Sequence, residues 1–225
     1  MQGAMNAIPK SVLFDLDGTL FDRDASFLEL AQAQYLGFLK ELAGIPKEAF
    51  VRRLVELDEH GYAEKSAVYC RIATEFGLPP SLASRLTAHF HGTYASFSKC
   101  FPEVPATLAD LRRLGMRLGI ITNGATDMQE RKVRELGIAD LLDELLMSEK
   151  EGLRKPDPRI FQRALGRFGI VAAEAWYVGD HLTVDVRGAF DAGLTPVWRW
   201  TPYWQKPEVP CRVINSIDEL MHMLF

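Results

Sequence analysis

The stretch "SVLFDLDGT" at residues 11–19 runs an apolar segment straight into two acids, Asp15 and Asp17, followed by Gly18. A carboxylate at the end of a buried strand can attack phosphorus and carry the phosphoryl group as an aspartyl-phosphate, and Asp15 has that placement. An acid two residues further along an extended chain lies on the same side of it. Asp17 can therefore hand a proton to a leaving oxygen and later take one from an attacking water. Gly18 lets the chain turn away sharply behind them. Three more clusters carry polar chemistry: Thr122, Asn123 and Gly124 after "RLGII", Lys155 in "KPDP" at 155–158, and Asp180 and Asp185 in "GDHLTVD" at 179–185.

These clusters share a place in the pattern. Short apolar runs at 11–14, 117–122, 144–148, 175–179 and 195–198 read as buried parallel strands. Helical stretches separate most of them: Pro105 to Leu114, Thr126 to Leu136 with Gly137 as its stop, Pro158 to Phe168, and Val184 to Ala192. Strands alternating with such helices predict an α/β fold, a Rossmann-like parallel sheet with helices on both faces. In that architecture ligands bind outside the carboxyl ends of the strands, and Asp15, Thr122–Gly124 and Asp180 all sit at such ends.

That edge collects Asp15, Asp17, Asp180 and Asp185. Like charges about 4 Å apart repel by roughly 1–4 kcal/mol per pair at effective dielectrics of 80 to 20. A cation among them relieves this, and an all-oxygen set suits Mg²⁺, which keeps waters and bridges to phosphate. Lys155, the Thr122 hydroxyl and the backbone N–H groups of Thr122, Asn123 and Gly124 are suitable partners for the anion.

One interval breaks the alternation. Between about residues 22 and 99 no segment reads as a strand, and stretches such as "SFLELAQAQYLGFLKELAG" and "EKSAVYCRIATEFG" carry apolar residues at helical spacing. The expected organisation is a discontinuous core of residues 1–21 and 100–225 with a smaller, all-helical domain of residues 22–99 inserted into it.

Composition narrows the function classes. A net charge of −4 argues against non-specific nucleic-acid binding. No apolar run has the length of a membrane span, and the first residues lack the apolar centre of a signal peptide. Three scattered cysteines, Cys70, Cys100 and Cys211, fit reduced thiols, and with these features predict a cytoplasmic protein. Its expected partner is a small phosphorylated metabolite, with the chain itself a monomer or homodimer.

"DLDGT", "TNG", "KPDP" and "GDHLTVD", in that order, resemble the four motifs of the haloacid dehalogenase-like hydrolase superfamily. The likeness covers residues 11–22 and about 101–200, and the insert resembles the helical cap of one subclass. It implies Asp15 as nucleophile, Asp17 as acid/base, Thr122 as a phosphate-binding hydroxyl and Lys155 as charge neutraliser. It implies Asp180 as a direct metal ligand, the carboxylate of Asp15 and the backbone carbonyl of Asp17 as further ligands, and Asp185 as an acid near the metal. His181 departs from the small polar residue expected after Asp180. The dehalogenase branch is disfavoured because it lacks the second acid of the first motif, here Asp17. The leading expectation is a magnesium-dependent phosphatase acting on a nucleotide or sugar phosphate. The alternatives are a sugar-phosphate mutase of the same superfamily and a non-catalytic small-anion binder.

The remaining conspicuous residues have plainer readings. His89 and His91 diverge on a helix and do not share a ligand. "ERKVRE" at 130–135 reads as a solvated helix face. "WRWTPYW" at 198–204 reads as the packed end of the last core strand and its loop. In the insert, Arg23, Asp58, His60, Tyr62 and Lys65 are polar residues that could set specificity, though ordinary surface positions account for each.

Overall fold

The structure, a computed structural model, describes residues 8–224. Six strands, β1 (Ser11–Phe14), β2 (Arg117–Thr122), β3 (Glu144–Met147), β4 (Ala175–Gly179), β5 (Thr195–Arg199) and β6 (Arg212–Ile214), form one sheet in the order β3-β2-β1-β4-β5-β6. Every pairing is parallel. This is the doubly wound order whose direction of winding reverses beside the first strand, which opens a crevice at the carboxyl ends there. Val12, Leu13 and Phe14 on β1 are fully buried, so both faces of the sheet are covered. The sixth strand was not legible: three residues after a proline-rich loop carry no period of their own.

The chain forms two compact units, one comprising the residues up to Phe21 and from Cys100 onward, the other Asp22–Lys99. In the second unit four helices, α1 (Arg23–Gly37), α2 (Lys47–Asp58), α3 (Lys65–Glu75) and α4 (Pro80–Thr93), bury Phe27, Leu30, Phe50, Leu54, Ile72 and Leu86 among themselves. A polar relay crosses this core: the Tyr69 hydroxyl donates to Gln34 Oε1 at 2.8 Å, and Gln34 Nε2 donates to the Leu86 carbonyl at 3.0 Å. Arg23 and Asp58 are not surface residues. They form a buried ion pair at 2.5 Å, and Lys65 Nζ reaches the second Asp58 oxygen at 2.7 Å. His60 lies against Asp24 at 2.9 Å, and Tyr62 is exposed. His89 Nδ1 lies 3.2 Å from the Thr93 hydroxyl, and His91 is exposed.

In the sheet-bearing unit, α5 (Val104–Arg113), α6 (Thr126–Glu135), α7 (Ser148–Glu151) and α8 (Pro158–Phe168) alternate with the strands. The sequence of α8 explains its limits and its docking. Asp157 accepts from the Arg159 N–H at its start, Pro158 occupies the first turn, and Gly169 ends it with φ of 61°. Ile160, Phe161, Ala164, Leu165 and Phe168 fall on one stripe and pack against Leu13, Ile121, Leu146 and Tyr177. After β4 the chain winds as a wide helical turn, Leu182–Arg187, and then α9 (Gly188–Asp191). A four-residue helix, α10 (Glu219–His222), follows β6.

Candidate active site

Asp15 directly continues β1, and its N–H donates to the Val178 carbonyl of β4 at 2.8 Å, which fixes it at the crevice. Its side chain is buried. The Lys155 ammonium, itself only 2 % exposed, spends its three hydrogens on Asp15 Oδ1 at 2.6 Å, Asp185 Oδ1 at 2.7 Å and the Tyr177 hydroxyl at 2.7 Å. Tyr177 passes its one proton on to the Ile121 carbonyl at 3.0 Å. The Lys155 backbone is anchored as firmly. The Asn123 side chain donates to the Lys155 carbonyl and accepts from its N–H, both at 2.9 Å. Asn123 thus serves as a clamp between β2 and the Lys155 loop, and its amide is not directed at an anion.

Asp180 continues β4, and Asp185 follows on the wide turn, its Oδ2 accepting from the His181 N–H at 3.1 Å. Oxygens of Asp15, Asp180 and Asp185 lie within 4.8 Å of one another, and all three residues are buried. Two glycines permit this crowding. Gly18 has φ of +84°, and a Cβ there would stand 2.6 Å from Asp180 Oδ2; a Cβ on Gly179 would overlap Asp185. The Trp198 indole N–H donates to the Asp180 carbonyl at 2.9 Å and steadies the loop from β5.

The electrostatics follow from burial. Burial pushes the Asp15 carboxyl up to about 7 in spite of Lys155, and it raises Asp180 well above the usual carboxylate range. Burial alone would lower Lys155, but Asp15 and Asp185 outweigh it and hold the ammonium above its ordinary value. Tyr177 is pushed well above 10 by burial and stays a neutral phenol. Three buried carboxylates against one buried ammonium leave two negative charges uncompensated when all are ionised. A hard dication is the group that this oxygen set fits.

Asp17 stands apart from that trio. Lys132 Nζ lies 2.5 Å from its Oδ1, and Gln129 Nε2 donates to its Oδ2 at 2.8 Å. Of the four acids expected along this edge, Asp15, Asp180 and Asp185 cluster, while the Asp17 carboxylate is bound to α6, which leaves its backbone carbonyl as the Asp17 oxygen expected beside a cation. Gln129 also donates to the Thr122 hydroxyl at 2.5 Å. The Gly124 N–H is given to the Ser148 hydroxyl at 3.0 Å, so in this conformation Thr122 offers the polar group at the end of β2.

Gln129 and Lys132 are the residues that sequence reading missed. Both are buried, and "ERKVRE" is not a solvated face. Gln129, Lys132, Val133 and Leu136 follow the spacing i, i+3, i+4, i+7 of an inward stripe. Val133 and Leu136 alone define that stripe, and extending it back one turn finds the two polar members.

His181 replaces the expected small polar residue without loss of its capping role. Its Nδ1 accepts from the Thr183 and Val184 N–H groups, at 3.1 and 3.2 Å, as a serine or aspartate oxygen would. Its ring lies tilted against Trp204 with centroids 4.3 Å apart. The aromatic run is the packed end of a core strand and its loop, with Trp198 buried in β5 and Trp200 and Tyr203 exposed beyond it, but that strand is not the last: β6 follows.

Comparisons with known proteins bear on the family and the fold. The family model described as haloacid dehalogenase-like hydrolase matches residues 12–198. A glyceraldehyde 3-phosphate phosphatase of Methanopyrus kandleri is 33% identical, over 84% of this chain and 82% of that protein. A ribulose-1,5-bisphosphate 5-phosphatase of Halopiger xanaduensis is 33% identical, over 83% of each chain. The crystal structure of a 2-haloacid dehalogenase from Pseudomonas syringae pv. Tomato superposes with a TM-score of 0.63 at 30% identity, covering 96% of this chain and 98% of that one.

Proposed function

The chain belongs to the haloacid dehalogenase-like hydrolase family, and from that premise we propose that it is a magnesium-dependent phosphatase of small sugar phosphates working through Asp15. The observation that carries the reading is the surround of Asp15: a buried carboxylate at a strand end, 2.6 Å from a buried lysine and clustered with two further acids, with a second acid nearby in the chain. Glyceraldehyde 3-phosphate phosphatases and a ribulose-1,5-bisphosphate 5-phosphatase are among the similar proteins, beside a phosphoserine phosphatase and a pyrimidine 5'-nucleotidase, and the recurrence of the three-carbon sugar phosphate favours that substrate class. The likeness to a dehalogenase is accommodated by the shared fold, and Asp17 with its two partners is the feature that the phosphatase chemistry needs.

The steps follow from the residues. One Asp15 carboxylate oxygen attacks phosphorus, and the bond to the ester oxygen breaks with its electron pair. Asp17 supplies the proton that the leaving oxygen takes up. Lys155 offsets the repulsion between Asp15 and the incoming dianion, and the Thr122 hydroxyl donates to a phosphoryl oxygen. Asp17 then accepts a proton from water as that water attacks the phosphorus of the aspartyl-phosphate, which frees inorganic phosphate and restores Asp15. Asp15, Asp180, Asp185 and the Asp17 carbonyl are the oxygens available to hold Mg²⁺, which when bound supplies positive charge beside the phosphoryl group.

The test is phosphate release from sugar monophosphates by the purified protein in ¹⁸O-water, beside Asp15→Asn. The expected result is one solvent oxygen per phosphate, abolished in the variant and in chelator. Near wild-type turnover by Asp15→Asn would reject the nucleophile. Transfer of the phosphoryl group within a hexose phosphate, faster than phosphate release, would make the chain a mutase. Chloride release from a 2-haloacid with no phosphate release from any ester would make it a dehalogenase.

A further inference from the structure

Both oxygens of Asp17 are held from one helix, by residues that none of the four motifs contains. Lys132 Nζ lies 2.5 Å from Oδ1, Gln129 Nε2 lies 2.8 Å from Oδ2, and both partners are buried, 5 % and 2 % exposed. Burying a lysine and a glutamine on the inward stripe of a ten-residue helix costs desolvation and side-chain entropy. Apolar residues at the same positions would pack the helix without that cost. The two polar groups are spent on the carboxylate.

The orientation of the Gln129 amide is determined by its neighbours. A carboxylate only accepts, so the group facing Asp17 is the NH₂. Its second hydrogen is then directed to Thr122 Oγ1 at 2.5 Å. The Thr122 hydroxyl accepts that bond, so its own proton is directed away from Gln129. One amide thereby couples the position of the acid/base carboxylate to the donor direction of the phosphate-binding hydroxyl. Lys132 is confined from the other side by the ring of Phe21, 5.0 Å from Nζ.

We infer that Lys132 and Gln129 are positioning residues for the proton-transfer step, holding the Asp17 carboxylate in one rotamer and turning the Thr122 hydroxyl toward the phosphoryl group. This rests on the phosphatase reading above, in which Asp17 gives a proton to the leaving oxygen. Neither residue exchanges a proton with substrate or touches the reacting atoms.

A residue that positions the proton donor matters in proportion to how much the leaving oxygen needs the proton. Phenyl phosphate leaves as the much more basic oxygen, and p-nitrophenyl phosphate leaves readily without help. We therefore expect Lys132→Met to lower kcat/KM for phenyl phosphate by roughly tenfold or more, part of the roughly hundredfold or larger contribution of acid–base catalysis, and for p-nitrophenyl phosphate by less than about threefold. Lys132→Arg, which keeps a cation and a donor, should recover part of the phenyl phosphate loss. Gln129→Leu should show the same dependence on leaving group and raise KM for both esters, because the Thr122 hydroxyl loses its orienting bond. It also carries the comparison if Lys132→Met does not fold. Equal losses on the two esters, or an unchanged kcat/KM for phenyl phosphate, overturn the inference while leaving the phosphatase reading intact. A wild-type protein that releases phosphate from neither ester nor from any sugar monophosphate overturns the phosphatase reading and the inference with it.

Discussion

Burial of Asp15 and Asp180 makes the protein's stability depend on pH in an unusual direction. Asp15 titrates near its ordinary 3.8 in the unfolded chain and near about 7 in the folded protein. Between those values the folded protein holds a proton that the unfolded chain has lost. Stability is therefore greatest below about pH 4 for this group and falls as pH rises toward 7. The span of the shift at about 1.36 kcal/mol per pH unit sets a ceiling of about 4 kcal/mol. Over pH 4.5 to 7.5 the Asp15 shift amounts to about 3 kcal/mol, and Asp180, raised by the same burial, acts in the same direction. Surface carboxylates held low by arginines, such as Glu75 and Asp157, act in the opposite sense at lower pH. The assay must subtract them. Urea unfolding in chelator at pH 4.5, 5.5, 6.5 and 7.5 is measured for the wild type and for Asp15→Asn, whose amide cannot titrate. The wild type should lose stability relative to the variant as pH rises. On the proposed assignment Mg²⁺ would bind the ionised form of Asp15, so it should stabilise the wild type by RT ln(1 + [Mg²⁺]/Kd) far more at pH 7.5 than at pH 5.5. Parallel curves for the two proteins in chelator would refute the burial argument, and an equal magnesium increment at both pH values would refute the assignment of the cation to these acids.

Other perturbations test the same geometry from different sides. Lys155→Met removes the one cation among the buried acids, so kcat/KM should fall at least about tenfold, or 1.4 kcal/mol. In chelator at pH 7.5 it should also cost about 3–5 kcal/mol of folding stability, and less at pH 5 where Asp15 is protonated; an unaltered urea midpoint at pH 7.5 would place Lys155 outside the cluster. Gly18→Ala puts a Cβ 2.6 Å from Asp180 Oδ2 at a φ of +84°, so it should cost about 1–2 kcal/mol and shift the magnesium titration to higher concentration. An unchanged magnesium midpoint would show that Asp180 is not a ligand.

The site residues that could be read from the sequence are those at strand ends. Each of β1, β2 and β4 is a short apolar run that stops at a polar residue, and a parallel sheet brings such ends to one edge without any knowledge of packing. Asp15, Thr122 and Asp180 follow from that alone, and Lys155 from the loop that a parallel crossover must make. What could not be read was which groups on that edge touch. Asp17 and Asp185 are both acids a few residues beyond a strand, and alternation along an extended chain predicts Asp17 beside Asp15. The chain does not stay extended: Gly18 turns it, and the side chain of Asp17 is taken by α6 while the wide turn after β4 carries Asp185 inward. The partners of Asp17 were hidden for a related reason. A helix with glutamate, lysine and arginine at most positions reads as solvated when each residue is weighed by type. Lys132 is buried because its ammonium has a carboxylate to meet, and that carboxylate lies 115 residues away in the chain. Polarity on a helix's inward stripe is therefore informative. It marks a helix whose inward polar groups have partners to meet: Asp17 for Gln129 and Lys132 on α6, and Tyr69 with the Leu86 carbonyl for Gln34 on α1.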